Sequence, residues 1–197
     1  MSVDVLDLKC RNCGAPLEIG AKKCEYCDGP VAISTFNSVA TMPLPMVNKY
    51  AMSYQRDLSA EPDNNEGNTA IAYCYLKLKM YDKALTYFER AVVDNFDNSE
   101  VYFYAAICCL GGKRAFLSQK SAINKAEEYL NAAVMIEPKG IYYYLWAYIK
   151  YDYYKMKFLN SKPDFKEMLN MAESIGVSVY DKEQLFNILN AEKPSVL

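Results

Sequence analysis

Residues 10–27 read CRNCGAPLEIGAKKCEYC, two CxxC pairs separated by ten residues. No other feature limits the fold so severely, because tetrahedral zinc takes four soft donors held in this paired way. Each CxxC loop can curl until both thiolates face one point and nearby backbone amides offset their charge. The curl closes best when the next residue accepts a positive φ. Gly14 follows Cys13 directly, whereas Cys27 is followed by Asp28, a less ideal residue that still tolerates the left-handed conformation better than most. Between the pairs, APLEIGAKK reads as a short strand, a turn at Gly20 and a return, and PVAISTF beyond Cys27 reads as a further strand. The expectation is a small sheet carrying two knuckles, with Cys10, Cys13, Cys24 and Cys27 as metal ligands.

This stretch resembles the zinc-ribbon family across roughly residues 8–36, through CRNCGAPL and CEYC. The resemblance implies a structural Zn2+ and a ribbon domain over residues 1–36. Two other chemistries use the same cysteines: a pair of disulfides, and an iron centre of rubredoxin type with the same four-thiolate geometry. Four cysteines close the coordination shell and leave no position for water, so the metal is expected to be structural and not catalytic. About thirty residues cannot bury enough apolar surface to fold alone, so a binding energy of ~10–16 kcal/mol decides whether the unit is ordered. Ribbons of this kind often touch nucleic acid. Here Lys9, Arg11, Lys22 and Lys23 meet Asp4, Asp7, Glu18, Glu25 and Asp28 over the first thirty residues, which makes a mixed, solvated surface.

The whole chain is also unsuited to a polyanion, with a formal net charge of -2 and a pI near 5.3. Its start, MSVDVLDLKC, lacks the basic and apolar segments of a secretory signal, which argues against disulfides. No window reaches the ~18 apolar residues of a membrane span. A cytoplasmic protein without membrane contact is the expectation. The chain has no histidine, which removes the commonest general base and the usual nitrogen ligand together. No phosphate loop, nucleophile–base pair or open metal site is present either, so no enzyme is expected. Cys74, Cys108 and Cys109 sit apart from the paired cysteines among small and aliphatic neighbours and read as core residues.

Pro43 and Pro45 break any helical period, so residues 37–45 read as a linker. From Met46 to the end, helical patterns are punctuated by EPDNNEG, DNFDNS, LGGKR, EPKG and ESIG, with no strand alternation. Residues 69–93, TAIAYCYLKLKMYDKALTYFERAVV, place small and large apolar residues where two antiparallel helices would pack. This unit resembles a tetratricopeptide repeat through Ala72, Tyr75, Ala84, Phe88 and Ala91. Counting on by about 34 residues, with about eight inserted, aligns Ala126, Leu130, Ala133 and Pro138. Counting back closes a helix from about Met46 to Ala60 as half of an incomplete first unit. A third unit keeps Phe165, Leu169 and Ala172 in step after a further insertion, but has Tyr148 where a small residue is usual. The expected fold class is therefore mainly α: a TPR-like antiparallel hairpin array of about three repeats over residues 46–197, with a small β zinc ribbon ahead of it. Residues 181–190 would cap the array, and an irregular helical bundle is the alternative arrangement.

The family resemblance implies that the first helix of each hairpin lines a concave, partner-binding side. The matching positions are Tyr73, Leu76 and Lys77, then Phe103, Ile107 and Leu110, then Tyr142, Leu145, Ile149 and Tyr153. Tyr73, Lys77, Phe103, Ile107, Tyr142, Leu145 and Ile149 are the candidate partner-binding residues, although such side chains also serve as repeat core. Some family members grip acidic chaperone tails with basic and amide side chains. Thr69 and Tyr73 stand here on the first such helix, so that activity does not carry over. Seven of the eighteen tyrosines fall between Tyr142 and Tyr154, suiting either an interface or a wide interhelical layer. The functional expectation is a non-catalytic adaptor whose array binds a protein segment or self-associates, with a nucleic-acid-associated factor as the alternative. VATMPLPM, residues 39–46, is itself apolar and tethered close enough to cover part of the strip in the free chain.

Overall fold

Short polar side chains set the helix starts. In the computed structural model, which describes residues 9–17, 21–93 and 96–197, Asn64 accepts a hydrogen bond from the Gly67 amide at 2.7 Å and opens α3 (Asn65–Lys77). Asn98 does the same for α5 (Ser99–Cys109). Asp164 with Glu167, and Ser178 with Asp181, form complete capping boxes for α8 (Phe165–Ile175) and α9 (Val179–Leu189). Each such cap contributes ~1 kcal/mol. The remaining helices are α1 (Asn37–Ala40), α2 (Leu44–Ala60), α4 (Tyr81–Ala91), α6 (Lys120–Ile136) and α7 (Gly140–Ile149). A wider π turn, Lys150–Lys155, continues α7.

From α2 to α8 each helix packs on the next in chain order. The small residues Ala72, Ala84, Ala91, Ala126 and Ala133 are buried, together with Tyr75, Phe88 and Leu130. Alanine at these contacts lets helix axes approach while the rings fill the adjoining space. The fold is thus mainly helical, as the periodicity indicated.

Two local expectations change. Among the described residues no β-strand forms, and pairing is limited to isolated bridges between Lys9 and Pro16 and between Lys23 and Pro30. The physical reason is that residues after the second knuckle are drawn onto the helices. The Ile33 amide donates to the Tyr54 hydroxyl at 3.0 Å, and the side chains of Ile33 and Phe36 are buried. The turn expected at Gly20 lies outside the described residues. The segment read as a linker is also structured: Pro43 is the N-cap residue of α2, and Pro45 falls in its first turn, where a missing amide hydrogen costs nothing. Val39 and Met42 join the core.

The insertion between α5 and α6 packs instead of looping free. Its 3-10 turn, Ala115–Leu117, lies against the π turn. There the fully buried Asp152 carboxylate accepts from the Arg114 guanidinium, from the Phe116 amide at 2.9 Å and from the Tyr148 hydroxyl at 3.5 Å. A second buried network joins Glu127 to Lys150 at 2.6 Å, to the Trp146 indole at 3.0 Å and to the Tyr154 hydroxyl. Burial alone would push the Glu127 carboxyl up, but hydrogen bonds from Lys150, Tyr154 and Trp146 outweigh it and hold the carboxyl below its ordinary value. The ionised form is therefore favoured more in the folded chain than in the unfolded one. Its stabilisation is present above the unfolded value, about 4.3, and is lost as pH falls through the lower folded value. Glu127→Gln should lower the unfolding midpoint at pH 7, and the gap to the parent chain should narrow below about pH 4 in thermal melts. A gap that stays constant down to pH 3 would assign the effect to packing.

Candidate metal centre and the face of α3, α5 and α7

The two CxxC loops have the same backbone chemistry. The Cys10 amide donates to Ala15 and the Gly14 amide to Cys10, while Cys24 donates to Gly29 and Asp28 to Cys24, all at 2.8 Å. Gly14 and Asp28 both take positive φ, 74° and 53°, as the curl requires. The result brings all four sulfur atoms within 4.8 Å of one another, with Cys10 to Cys27 at 3.6 Å and Cys13 to Cys24 at 3.7 Å. A tetrahedral ion with bonds of about 2.3 Å sets its sulfurs about 3.8 Å apart, so the four thiols fit a metal ion. None of the seven cysteines is bonded to another. Cys10 and Cys24 are buried. The bond to the Ala15 backbone lowers Cys13, but desolvation and the neighbouring thiols outweigh it and push that thiol up, while the Asn12 side chain followed by the Gly29 amide holds the Cys27 thiol below its ordinary value. Such donors would offset thiolate charge.

The knuckles are seated on α2. Arg11 donates to Ser53 at 3.1 Å, pairs with Asp57 and lies 4.1 Å over the Tyr54 ring. Tyr50 donates its hydroxyl to the Pro30 carbonyl, and Met46 with Tyr50 fills the space against Gly29. These contacts tie the four-cysteine cluster to the helical part. Cys74 and Cys108 are buried away from this centre, and Cys109 is half-buried. Burial pushes Cys74 and Cys109 up to about 12 and raises Cys108 well above its ordinary value, which makes them inert packing groups at neutral pH.

The candidate partner residues do not form an open strip. Tyr73, Phe103, Ile107, Tyr142, Leu145 and Ile149 are all buried, and Lys77 is half-buried with its ammonium on the Ala40 carbonyl. Two segments of the chain cover the face. Phe36 packs on Tyr73 and Tyr104 at ring distances of 6.2 and 5.1 Å. At the other end α9 runs back across α7 and α5, with Phe186 against Tyr144 at 6.4 Å and Tyr148 at 5.2 Å. The α7 residues under α9 are thus Tyr144 and Tyr148, four apart on one face, which the family pattern did not single out. Their signal was available in the aromatic spacing of that helix.

Tyr73 carries a buried hydroxyl with no hydrogen-bond partner among the described residues. Desolvation of such a group costs ~1–3 kcal/mol. Tyr73→Phe should therefore keep the fold and raise the thermal midpoint by one to several degrees, roughly the effect of ~1 kcal/mol in a chain of this size. A clear fall in the midpoint would show that the hydroxyl is solvated or bonded.

No helix among the described residues is long and apolar enough to cross a membrane. No protein-family model, curated protein or solved structure matches the chain.

Proposed function

We propose that this chain is a non-catalytic adaptor: a structural Zn2+ on Cys10, Cys13, Cys24 and Cys27 orders a ribbon-type unit, and a TPR-type helical array binds a segment of another protein. The supporting observation is the face of α3, α5 and α7, which takes an apolar segment and a helix from elsewhere in its own chain. A surface that seats a helix in cis has the shape and apolar character to seat one in trans. Zinc is favoured over iron by its abundance in closed four-cysteine structural sites. Contact with nucleic acid is disfavoured because Arg11 is engaged with Asp57 and Tyr54, and Lys23 lies 3.4 Å from Asp28.

Elemental analysis of gently purified protein should find one zinc per chain; protein without metal would defeat the ribbon assignment. Capture from the native cell followed by mass spectrometry should recover a protein partner that survives nuclease treatment. Binding to generic nucleic acid that falls steeply with salt would favour the alternative factor.

A further inference from the structure

The array ends in a helix that does not extend it. A capping helix would lie along α8, yet α9 packs on α7 and α5 and reaches the α3–α4 turn. Lys79 of that turn donates to the Asn190 side chain, the Tyr81 hydroxyl at the start of α4 donates to the Ile188 carbonyl at 2.7 Å, and Asn190 donates to the Gly112 carbonyl of the α5–α6 connection at 3.2 Å. We infer that α9 is a displaceable occupant of this groove, and that the groove's ligand is an amphipathic helix of another protein carrying two leucines and an aromatic residue in α9's spacing. This deepens the adaptor reading and rests on it.

Three features support displacement. First, α9 is locally complete: the Ser178–Asp181 capping box starts it and left-handed Asn190 ends it. It hangs on residues 176–178, where Gly176 takes φ 102°. Second, its hold is concentrated at its C-terminal half, where Leu185, Phe186 and Leu189 are buried and Ile188 and, just past its end, Ala191 pack on the core, while Val179 and Tyr180 at its start are 71% and 63% exposed. Third, α9 fills the groove imperfectly. A recess of 310 Å³ remains along one flank, between Tyr180, Asp181 and Gln184 of α9 and the Glu100–Lys139 pair. The recess is open and roomy enough for water, so a helix with longer polar side chains on that flank would reach the Glu100–Lys139 pair in place of solvent. Such a helix repeats the Leu-Phe-x-x-Leu anchor and adds a charged or amide group facing Glu100 and Lys139.

Tethering gives α9 an effective concentration of roughly millimolar, so a free helix of equal affinity competes poorly until α9 is weakened. The test uses the full chain and, as probe, a fluorescent synthetic peptide of residues 177–197, followed by anisotropy. Phe186→Ala in the chain should tighten peptide binding by about tenfold or more, from the loss of a buried aromatic side chain. Tyr81→Phe, which removes one bond to α9 and no volume, should tighten it several-fold. A peptide bearing Phe186→Ala itself should not bind. Hydrogen exchange should show α9 amides opening in both variants while α3 to α6 stay protected; if Phe186→Ala unfolds the array, Tyr81→Phe decides.

No gain in either variant despite a released α9 would overturn the inference. So would a parent chain that forms a reciprocal dimer dissolved by Phe186→Ala, since the occupant would then be a second copy. A native partner captured equally by parent and Phe186→Ala chains would reject this groove and leave the adaptor reading standing. Peptide binding to the opened chain with no native protein captured would do the reverse.

Discussion

Cys24→Ser is expected to empty the metal site and to loosen α2 together with the knuckles. A serine hydroxyl stays protonated where a thiolate is needed, and three cysteines hold the ion far less tightly than four. Because metal binding contributes ~10–16 kcal/mol to units of this size, the loss exceeds what the knuckles' own packing can replace. The effect should not stop at residue 36. Arg11, the Pro30 carbonyl and the Ile33 amide are all bonded to α2 side chains, and Phe36 covers Tyr73. Hydrogen exchange should therefore accelerate through residues 10–36 and across α2, while α5 to α8 keep their protection and the helical signal falls only modestly. Chelation of the parent protein should reproduce the pattern. If α2 stays fully protected in metal-free protein, the knuckles are passengers on the helical part.

Leu145→Glu should unfold the chain at moderate temperature. The side chain is fully buried in α7. A carboxylate placed there must either shed its charge or draw water into the core, at a cost above ~4 kcal/mol. Against a typical total of ~5–15 kcal/mol, that is enough to remove cooperative melting near room temperature. Circular dichroism and a thermal scan read the outcome directly. A variant that keeps its helicity and melts within a few degrees of the parent would place Leu145 at an accessible surface and return it to the partner-binding set.

Much of this was legible in the residues because the signals are local. The four-cysteine cluster follows from cysteine spacing plus Gly14, and the helix starts follow from Asn64, Asn98, Asp164 and Ser178, whose side chains reach amides two or three positions away. Small and aromatic residues such as Ala72, Ala84 and Phe88 revealed their contact because close approach tolerates few alternatives. The non-local part was hidden. The apolar character of VATMPLPM marks it as a candidate cover, but which of its residues becomes core, as Val39 does, depends on a face assembled from residues far along the chain. The prolines were misleading for the same reason: Pro43 and Pro45 are helix breakers inside a helix and helix starters at its first turn. Likewise, a family pattern names the helices that form a face but not what rests on it. That is why the sequence leaves open whether the strip from Tyr73 to Ile149 is a binding surface or core, and the fold buries it.

The brace between the α5–α6 insertion and the end of α7 bears on how this array could change over time. Two departures from regular repeat spacing, the extra residues after Cys109 and the large ring at Tyr148, are halves of one arrangement. The Tyr148 hydroxyl accepts from the Ala115 amide and donates to the Asp152 carboxylate, where the Phe116 amide and Arg114 also meet. Trimming the insertion alone strands a carboxylate in the interior, and shrinking Tyr148 alone leaves a void beside it. Substitution at positions 114, 148 and 152 is therefore expected to be concerted, with the insertion's length as a fourth variable. The α5–α6 pair is tied to the end of α7, so engineered exchanges of these helices should cut before α5 or after the π turn and never between them.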